Sequence, residues 1–192
     1  MDLTSKIQEI IRELDLKEVQ RWTALSILVG IVGGIVAIIF YSGLYYATYY
    51  LLGGIGGYFP ITPRGDVDLL PVVTGQPNRL LLVLLPMLGG LLAGYLVYRF
   101  APEAEGHGTD SVIDSYHHKQ GIIRTRVPFI KALTSMITMG SGGSAGREGP
   151  IAQISAGFGS ILATKLHLTD RDLRILFICG MAAGVGSIFK AP

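Results

Sequence analysis

The feature that most constrains this chain is a long run of residues without a single charge. No Asp, Glu, Lys or Arg occurs between Trp22 and Pro63. As a helix, the apolar block 22–52 would be about 46 Å long at a rise of ~1.5 Å per residue. Because the hydrocarbon core of a bilayer is only about 30 Å thick, such a helix must be strongly tilted or must project beyond it. The run therefore predicts an integral membrane protein.

Composition and charge exclude several other classes. Charged residues make up 16 % of the 192 residues, and the net charge of +2 is too small and too scattered for a nucleic-acid surface. The single cysteine, Cys179, excludes an internal disulfide framework. No nucleophile–base pair or metal-ligand set stands out, so we do not expect an enzyme. His117 and His118 are interpreted as a solvated pair rather than as half of a metal site.

The chain divides into two unequal parts. Residues 2–21 carry apolar side chains at helical spacing with charges between them, which predicts an amphipathic helix lying against the membrane or the protein body. We therefore assign residues 1–21 to a cytoplasmic helix and 22–192 to a transmembrane domain. Within that domain the apolar block 80–98, bounded by Arg79 and Arg99, predicts a second spanning helix.

Basic residues predict how the chain is oriented in the membrane. The loop between the two spanning helices contains only Arg64 and Arg79, whereas the segments 1–21 and 99–126 contain four basic residues each. The positive-inside rule therefore places the N-terminus and the segment 99–126 in the cytoplasm. The residues counted in these two segments are Lys6, Arg12, Lys17, Arg21, Arg99, Lys119, Arg124 and Arg126.

Beyond residue 126 the apolar segments become short. They cover 127–139, 150–165 and 173–189, and none is a comfortable full span. Short apolar segments separated by glycine-rich loops are typical of discontinuous helices, whose ends are tolerated at membrane depth only where they line a cavity enclosed by protein. The predicted fold class is an all-α membrane protein with tilted and broken transmembrane helices. Close helix packing is predicted at two pairs of glycines, Gly90 with Gly94 and Gly180 with Gly184.

The loop 140–150, which reads GSGGSAGREGP, is the strongest functional signal. Its glycines allow tight turns, and Pro150 suits the first turn of a following helix. The unpaired N–H groups and the positive dipole end of such a helix form a site for an anion. An ionised Glu148 would occupy that site and block the path, and its protonation or displacement would open it. The alternative is that Glu148 only caps the helix and pairs with Arg147.

The sequence GREGP at 146–150, followed by ISAGFGS and by the run GMAAGVGSIFKAP at 180–192, resembles the signature of the CLC family of chloride channels and proton-coupled chloride antiporters. The resemblance extends over nearly the whole chain but covers only the first part of a transport domain. It implies a fold of two inverted repeats, of which this chain would hold the first, and a homodimer formed through regions outside the chain. We therefore expect the chain to be a fragment of a longer protein.

The same resemblance implies which residues bind the anion. Glu148 matches the external gating glutamate, and the family's GSGIP loop matches residues 106–110, where His107 replaces the serine. Either His107 contacts the anion, or it points away and backbone amides bind. Lys131, alone in an apolar segment, either adds positive potential near the path or extends to the surface. The predicted anion-binding residues are Gly106, His107, Gly108, Thr109, Gly146, Arg147, Glu148, Gly149 and Pro150.

Taken together, the residues and the resemblance predict transmembrane chloride transport, as proton-coupled exchange gated by Glu148. A passive voltage- or anion-gated chloride channel of the same family is the alternative, and a membrane scaffold that transports nothing is a remote one. The expected partners are chloride, protons, the lipid bilayer and a second copy of the protein. No cofactor or metal is expected besides a bound chloride ion.

Overall fold

The computed structural model describes residues 16–60 and 76–189, and these residues form helices and loops without any strand. The predicted all-α membrane fold is confirmed. The first 15 residues of the predicted amphipathic helix lie outside the described residues, and from Leu16 the chain continues into the first helix without a break at residue 21. The α-helices are α1 (Leu16–Thr48), α2 (Arg79–Phe100), α3 (Thr109–His118), α4 (Arg126–Gly140), α5 (Glu148–Lys165) and α6 (Asp170–Phe189). A π-helical segment (Tyr49–Ile55) extends α1, and a 3₁₀ turn (Pro102–Ala104) follows α2.

Three helical stretches are long and apolar enough to cross a membrane: Glu18–Ile55, Arg79–Phe100 and Asp170–Phe189. The first two confirm the spanning helices predicted from the apolar blocks. The third shows that the prediction for 173–189, that it is too short for a full span, was wrong. Helix α6 begins three residues earlier because Asp170 and Asp172 occupy its first turn, where carboxylates stabilise the helix dipole.

Helix α5 lies at the centre of the bundle, and its most extensive contact is with α6. Small residues allow this approach: a Cβ atom at Gly180 would lie 3.2 Å from the Cα atom of Gly159, and one at Gly184 would collide with the side chain of Ser155. The close packing predicted for Gly180 and Gly184 is therefore confirmed.

The close packing predicted for Gly90 and Gly94 was wrong for the part of the chain that the structure describes. A Cβ atom at either glycine would meet nothing within 4 Å. Helix α4 instead contacts the neighbouring position of α2, where a Cβ atom at Gly89 would lie 2.7 Å from the Cβ atom of Ser141. Gly90 and Gly94 do share one face of α2, as their spacing of four residues predicts. The end of α4 packs instead against Gly89, the residue before Gly90, which lies on a different face of α2.

An ion pair joins the beginnings of α1 and α6. The guanidinium group of Arg21 donates to the carboxylate of Asp172, which is buried, and the backbone N–H of Asp172 donates to the side-chain hydroxyl of Thr169. These ends of α1 and α6 therefore lie on the same side of the bundle. His118, at the end of α3, has its Nδ1 atom 3.1 Å from the carboxylate of Asp114, and no cluster of three metal-binding side chains occurs among residues 16–60 and 76–189.

Candidate functional site

The glycine-rich loop reverses the chain between α4 and α5. Gly143 donates its N–H to the carbonyl oxygen of Thr138 at 2.8 Å, and Gly142 adopts a φ of 96°, which suits a residue without Cβ. Helix α5 then begins at Glu148, with Pro150 in its first turn as predicted. The first backbone N–H groups of α5 have no partner within the helix, so they face the loop.

The side chain of Glu148 folds back over the loop that precedes it. Its carboxylate lies against Gly146, where a Cβ atom would collide with one carboxylate oxygen and lie 3.6 Å from the carboxylate carbon. Glu148 is exposed rather than buried among its neighbours. The carboxylate therefore lies beside the positive end of α5, at a position where an anion could bind in its place.

A second loop reaches the same place from the other side. It follows the 3₁₀ turn and contains two glycines with positive φ, Gly106 at 75° and Gly108 at 99°, before α3 begins at Thr109. A Cβ atom at Gly108 would lie 2.7 Å from the carbonyl oxygen of Gly149, and one at Gly149 would collide with the carbonyl oxygen of His107. The two loops thus touch backbone to backbone, although they are separated by about forty residues of chain.

A cavity of about 690 Å³ lies between these loops and helices α2 and α4. Most of the predicted anion-binding residues line it, and so does Lys131. From the predicted set, the lining residues are Gly106, His107, Thr109, Gly146, Glu148, Gly149 and Pro150.

Two predicted residues occupy other positions. The guanidinium carbon of Arg147 lies 5.6 Å from the ring centroid of Tyr41, so its charge faces α1 and the side chain does not line the cavity. Gly108 is buried beneath the cavity wall, where it separates the backbone of Gly149 from the side chain of Gln153. Its role is to let the two loops meet.

Lys131 faces inward, as one of its two interpretations predicted. Its side chain is 4 % exposed, and its ammonium group donates to the carbonyl oxygens of Ala104 at 2.9 Å and Gly106 at 2.6 Å. These bonds hold the loop 105–108 against α4. The positive charge of Lys131 thereby reaches the cavity wall, where it favours an anion.

Sequence reasoning missed a polar stripe on α4. Thr134, Ser135 and Thr138 line the cavity together with Lys131. Their spacing from Lys131 is three, four and seven residues, which places all four on one face of a helix. That spacing was available as a signal, since an apolar helix with a polar stripe must turn the stripe toward protein or water rather than lipid.

A family model described as voltage gated chloride channel matches residues 89–192, which is more than half of the chain. The matched range contains both loops, Lys131 and the whole of α3 to α6. The family thus covers every element that surrounds the cavity except part of α2.

Individual relatives match over longer stretches. The chain is 31 % identical over 172 residues to the uncharacterized protein MJ0305 of Methanocaldococcus jannaschii, covering 90 % of this chain and 35 % of the relative. It is 29 % identical over 169 residues to the H(+)/Cl(-) exchange transporter ClcA of Cronobacter sakazakii, covering 88 % of this chain and 33 % of the relative. With the putative chloride channel protein ClcB-like of Ralstonia nicotianae it shares 32 % identity over 114 residues, covering 57 % of this chain and 27 % of the relative.

The chain therefore spans about a third of the length of these relatives. The family match covers more than half of the chain and agrees with the three candidate membrane spans, so this chain belongs to the CLC family, whose model is described as voltage gated chloride channel.

Proposed function

We propose that the full-length protein transports chloride across a membrane and that Glu148 is its gating carboxylate. The observation that carries the proposal is the position of Glu148. Its carboxylate lies over Gly146 at the wall of a cavity that the starts of both α3 and α5 also line. Two helix beginnings that point at one cavity provide unpaired N–H groups and two positive dipole ends, which together favour an anion.

The mechanism is competition for this position. An ionised Glu148 lies beside the N–H groups at the start of α5, and in this mechanism a chloride ion takes that place when the carboxylate is protonated or displaced. The backbone amides beside His107 complete the other wall, and a protonated His107 would add a positive charge to it. Lys131 adds its positive charge behind the loop, which favours an anion there, and the anion we propose is chloride.

Proton coupling is the finer part of the proposal. A carboxylate that is ionised when it occupies the anion position, and protonated when chloride occupies that position, can exchange protons for chloride. The relative from Cronobacter sakazakii carries the name of a proton–chloride exchanger, whereas the relative from Ralstonia nicotianae carries the name of a channel. We favour exchange, with passive conduction as the alternative.

The orientation and assembly belong to the same proposal. The beginnings of α1 and α6 share one side of the bundle, where Arg21 pairs with Asp172. We propose that these ends face the cytoplasm, because the segments 1–21 and 99–126 contain more basic residues than the loop between the spanning helices. We propose that the protein acts as a homodimer in the lipid bilayer.

The test is chloride-driven proton movement in liposomes that contain the full-length protein. We expect the parent to move protons against their gradient and Glu148→Ala to pass chloride without moving protons. Glu105→Ala is the matched control, because it removes another carboxylate from the wall of the same cavity. It should retain proton coupling.

Each other outcome has a distinct meaning. Chloride flux without proton movement in the parent would make the protein a channel, with Glu148 as a gate only. A parent that moves no chloride would overturn the transport proposal and favour a membrane scaffold. Equal loss of coupling in Glu105→Ala would show that the net charge of the cavity matters, rather than the position of Glu148.

A further inference from the structure

One side chain, Gln153, bonds to both sides of the loop that precedes α3. It lies on the second turn of α5 and is completely buried. Its Nε2 atom donates to the backbone carbonyl oxygen of Glu103 at 2.8 Å and to the hydroxyl of Ser111 at 2.8 Å. The Ser111 hydroxyl donates in turn to the same carbonyl oxygen at 3.0 Å. One amide on α5 therefore holds the residues on both sides of the loop 105–108.

The chemistry of these partners fixes the orientation of the amide. The carbonyl oxygen of Glu103 can only accept, so the atom that faces it must be the NH₂ group. The Oε1 atom then faces the other way, toward Gly108, and it is a buried acceptor without a hydrogen-bond partner within the described residues. A Cβ atom at Gly108 would lie 3.1 Å from Oε1. Within the described residues the amide therefore makes its hydrogen bonds through its NH₂ group alone, toward the residues on either side of the loop.

The result is a notch in α5 into which the loop fits. The backbone of Gly149 forms one wall of the notch and the amide of Gln153 forms the other, with Gly108 between them. Lys131 holds the same loop from α4 through Ala104 and Gly106. Lys131 thus holds the loop at Ala104 and Gly106. Gln153 holds the residues on either side of the loop, Glu103 and Ser111, against α5.

We propose that Gln153 is a positioning residue that sets the separation of the two anion-facing loops and thereby the affinity for the anion. This inference rests on the proposed function, because it concerns the affinity of the same site. Gln153 does not line the cavity, so it acts on the anion only through the loop. When one of the two loops shifts, the site binds the anion less tightly, because the backbone N–H groups of the two loops no longer point at the same place.

The central variant is Gln153→Leu, which keeps the volume of the side chain and removes both donated hydrogen bonds. Loss of bonds of this kind corresponds to a change of about three- to tenfold in an equilibrium constant. We expect the chloride concentration that gives half-maximal flux to rise by that factor, while the maximal flux stays within about twofold of the parent. Gln153→Met keeps the unbranched shape but not the NH₂ group, so it should behave like Gln153→Leu.

A matched control lies two turns further along α5. The buried hydroxyl of Ser160 accepts a hydrogen bond from the backbone N–H of Ile123 at 3.1 Å, so Ser160→Ala also removes a buried bond between α5 and a loop. This loop does not border the cavity. We expect Ser160→Ala to lower the melting temperature and to leave the chloride dependence unchanged. If Gln153→Leu cannot be purified, Ser111→Ala replaces it, since it removes one acceptor without altering α5 and should shift the chloride dependence in the same direction.

Hydrogen exchange of the backbone amides provides a readout that does not need transport. Amides of residues 104–110 should exchange faster in Gln153→Leu than in the parent, and at the parental rate in Ser160→Ala. If the parent moves no chloride, the proposed function fails, and hydrogen exchange alone still decides whether Gln153 positions the loop. The positioning role is overturned if the exchange is unchanged, if Gln153→Met keeps the parental chloride dependence, or if Ser160→Ala shifts that dependence equally.

Discussion

Gly108 and Gly149 bring two distant loops into backbone contact, with the ideal Cβ position of Gly108 only 2.7 Å from the carbonyl oxygen of Gly149. Because Gly108 adopts a φ of 99°, any other residue there would be strained even without a neighbour. This contact connects the start of α3 to the start of α5 beneath the wall of the cavity. The separation of the two helix beginnings therefore depends on the absence of a side chain at these two positions.

A methyl group at position 108 should disrupt the site. We expect Gly108→Ala to destabilise the full-length protein by about 2–4 kcal/mol, because backbone strain of ~1–3 kcal/mol is added to a collision with Gly149 and Gln153. Gly106→Ala is the matched control, since Gly106 also has a positive φ but a Cβ atom there would meet nothing within 4 Å. Thermal unfolding in detergent should rank the parent above Gly106→Ala, and Gly106→Ala above Gly108→Ala. Equal melting temperatures for the two variants would contradict the contact.

Removal of the buried ammonium group of Lys131 should destabilise the fold more than removal of an exposed ammonium group. Lys131→Met leaves the carbonyl oxygens of Ala104 and Gly106 without this donor, and a buried carbonyl such as that of Ala104 costs about 1–3 kcal/mol when it is left unsatisfied. Lys165→Met, at the exposed end of α5, removes the same charge without such bonds. We expect a clearly lower melting temperature and slower chloride flux in Lys131→Met only. A Lys131→Met protein as stable as Lys165→Met would show that the loop does not depend on this side chain.

The sequence was sufficient to predict the helices and the loop that precedes α5, because both depend on local patterns. Apolar length predicts a span, and the glycines followed by Pro150 predict a turn and a helix start. The prediction for α6 was wrong by one turn, since Asp170 and Asp172 interrupt the apolar pattern but not the helix. Local patterns thus place an element better than they place its ends.

Contacts between distant parts of the chain were not predictable in the same way. Gln153 is a lone amide in an apolar segment, and its importance appears only when Glu103, 50 residues earlier, lies against it. Arg147 stands beside Glu148 in the sequence, yet its guanidinium group faces Tyr41, because Arg147 precedes the first turn of α5 and its side chain leaves the backbone in a different direction. Gly90 and Gly94 form a motif without a close neighbour in the described residues, because the motif permits close packing but does not identify a partner.

The ion pair between Glu103 and Arg124 should make stability depend on pH in the acid range. Partial burial alone raises the pKa of the Glu103 carboxyl, but the hydrogen bond from Arg124 and the charges of Arg124 and Arg126 outweigh it, so the pKa is lowered. A group with a lowered folded pKa stabilises the fold above its unfolded pKa of about 4.3, and this contribution is lost as the pH falls through the folded pKa.

We therefore expect Glu103→Gln to melt below the parent at pH 7, and the two melting curves to converge in acid. Arg124→Gln and the double variant complete a cycle, in which the second substitution should add little once the first is made. A difference between Glu103→Gln and the parent that stays constant from pH 7 into the acid range would contradict an ion pair. It would assign the effect to the uncharged contacts of this side chain.

The two glycine pairs should respond to alanine in opposite ways. Gly180→Ala forces a methyl group to within about 2.5 Å of the carbonyl oxygen of Ser155, so α5 and α6 must separate, at a cost of about 1–3 kcal/mol. Gly90→Ala meets nothing within 4 Å and gains up to ~1 kcal/mol of helix propensity. The melting temperature should fall in the first variant and hold or rise in the second. If Gly90→Ala destabilises the full-length protein as much as Gly180→Ala, a segment outside residues 16–60 and 76–189 must pack on that face of α2, and the motif would then have the close partner that its spacing predicts.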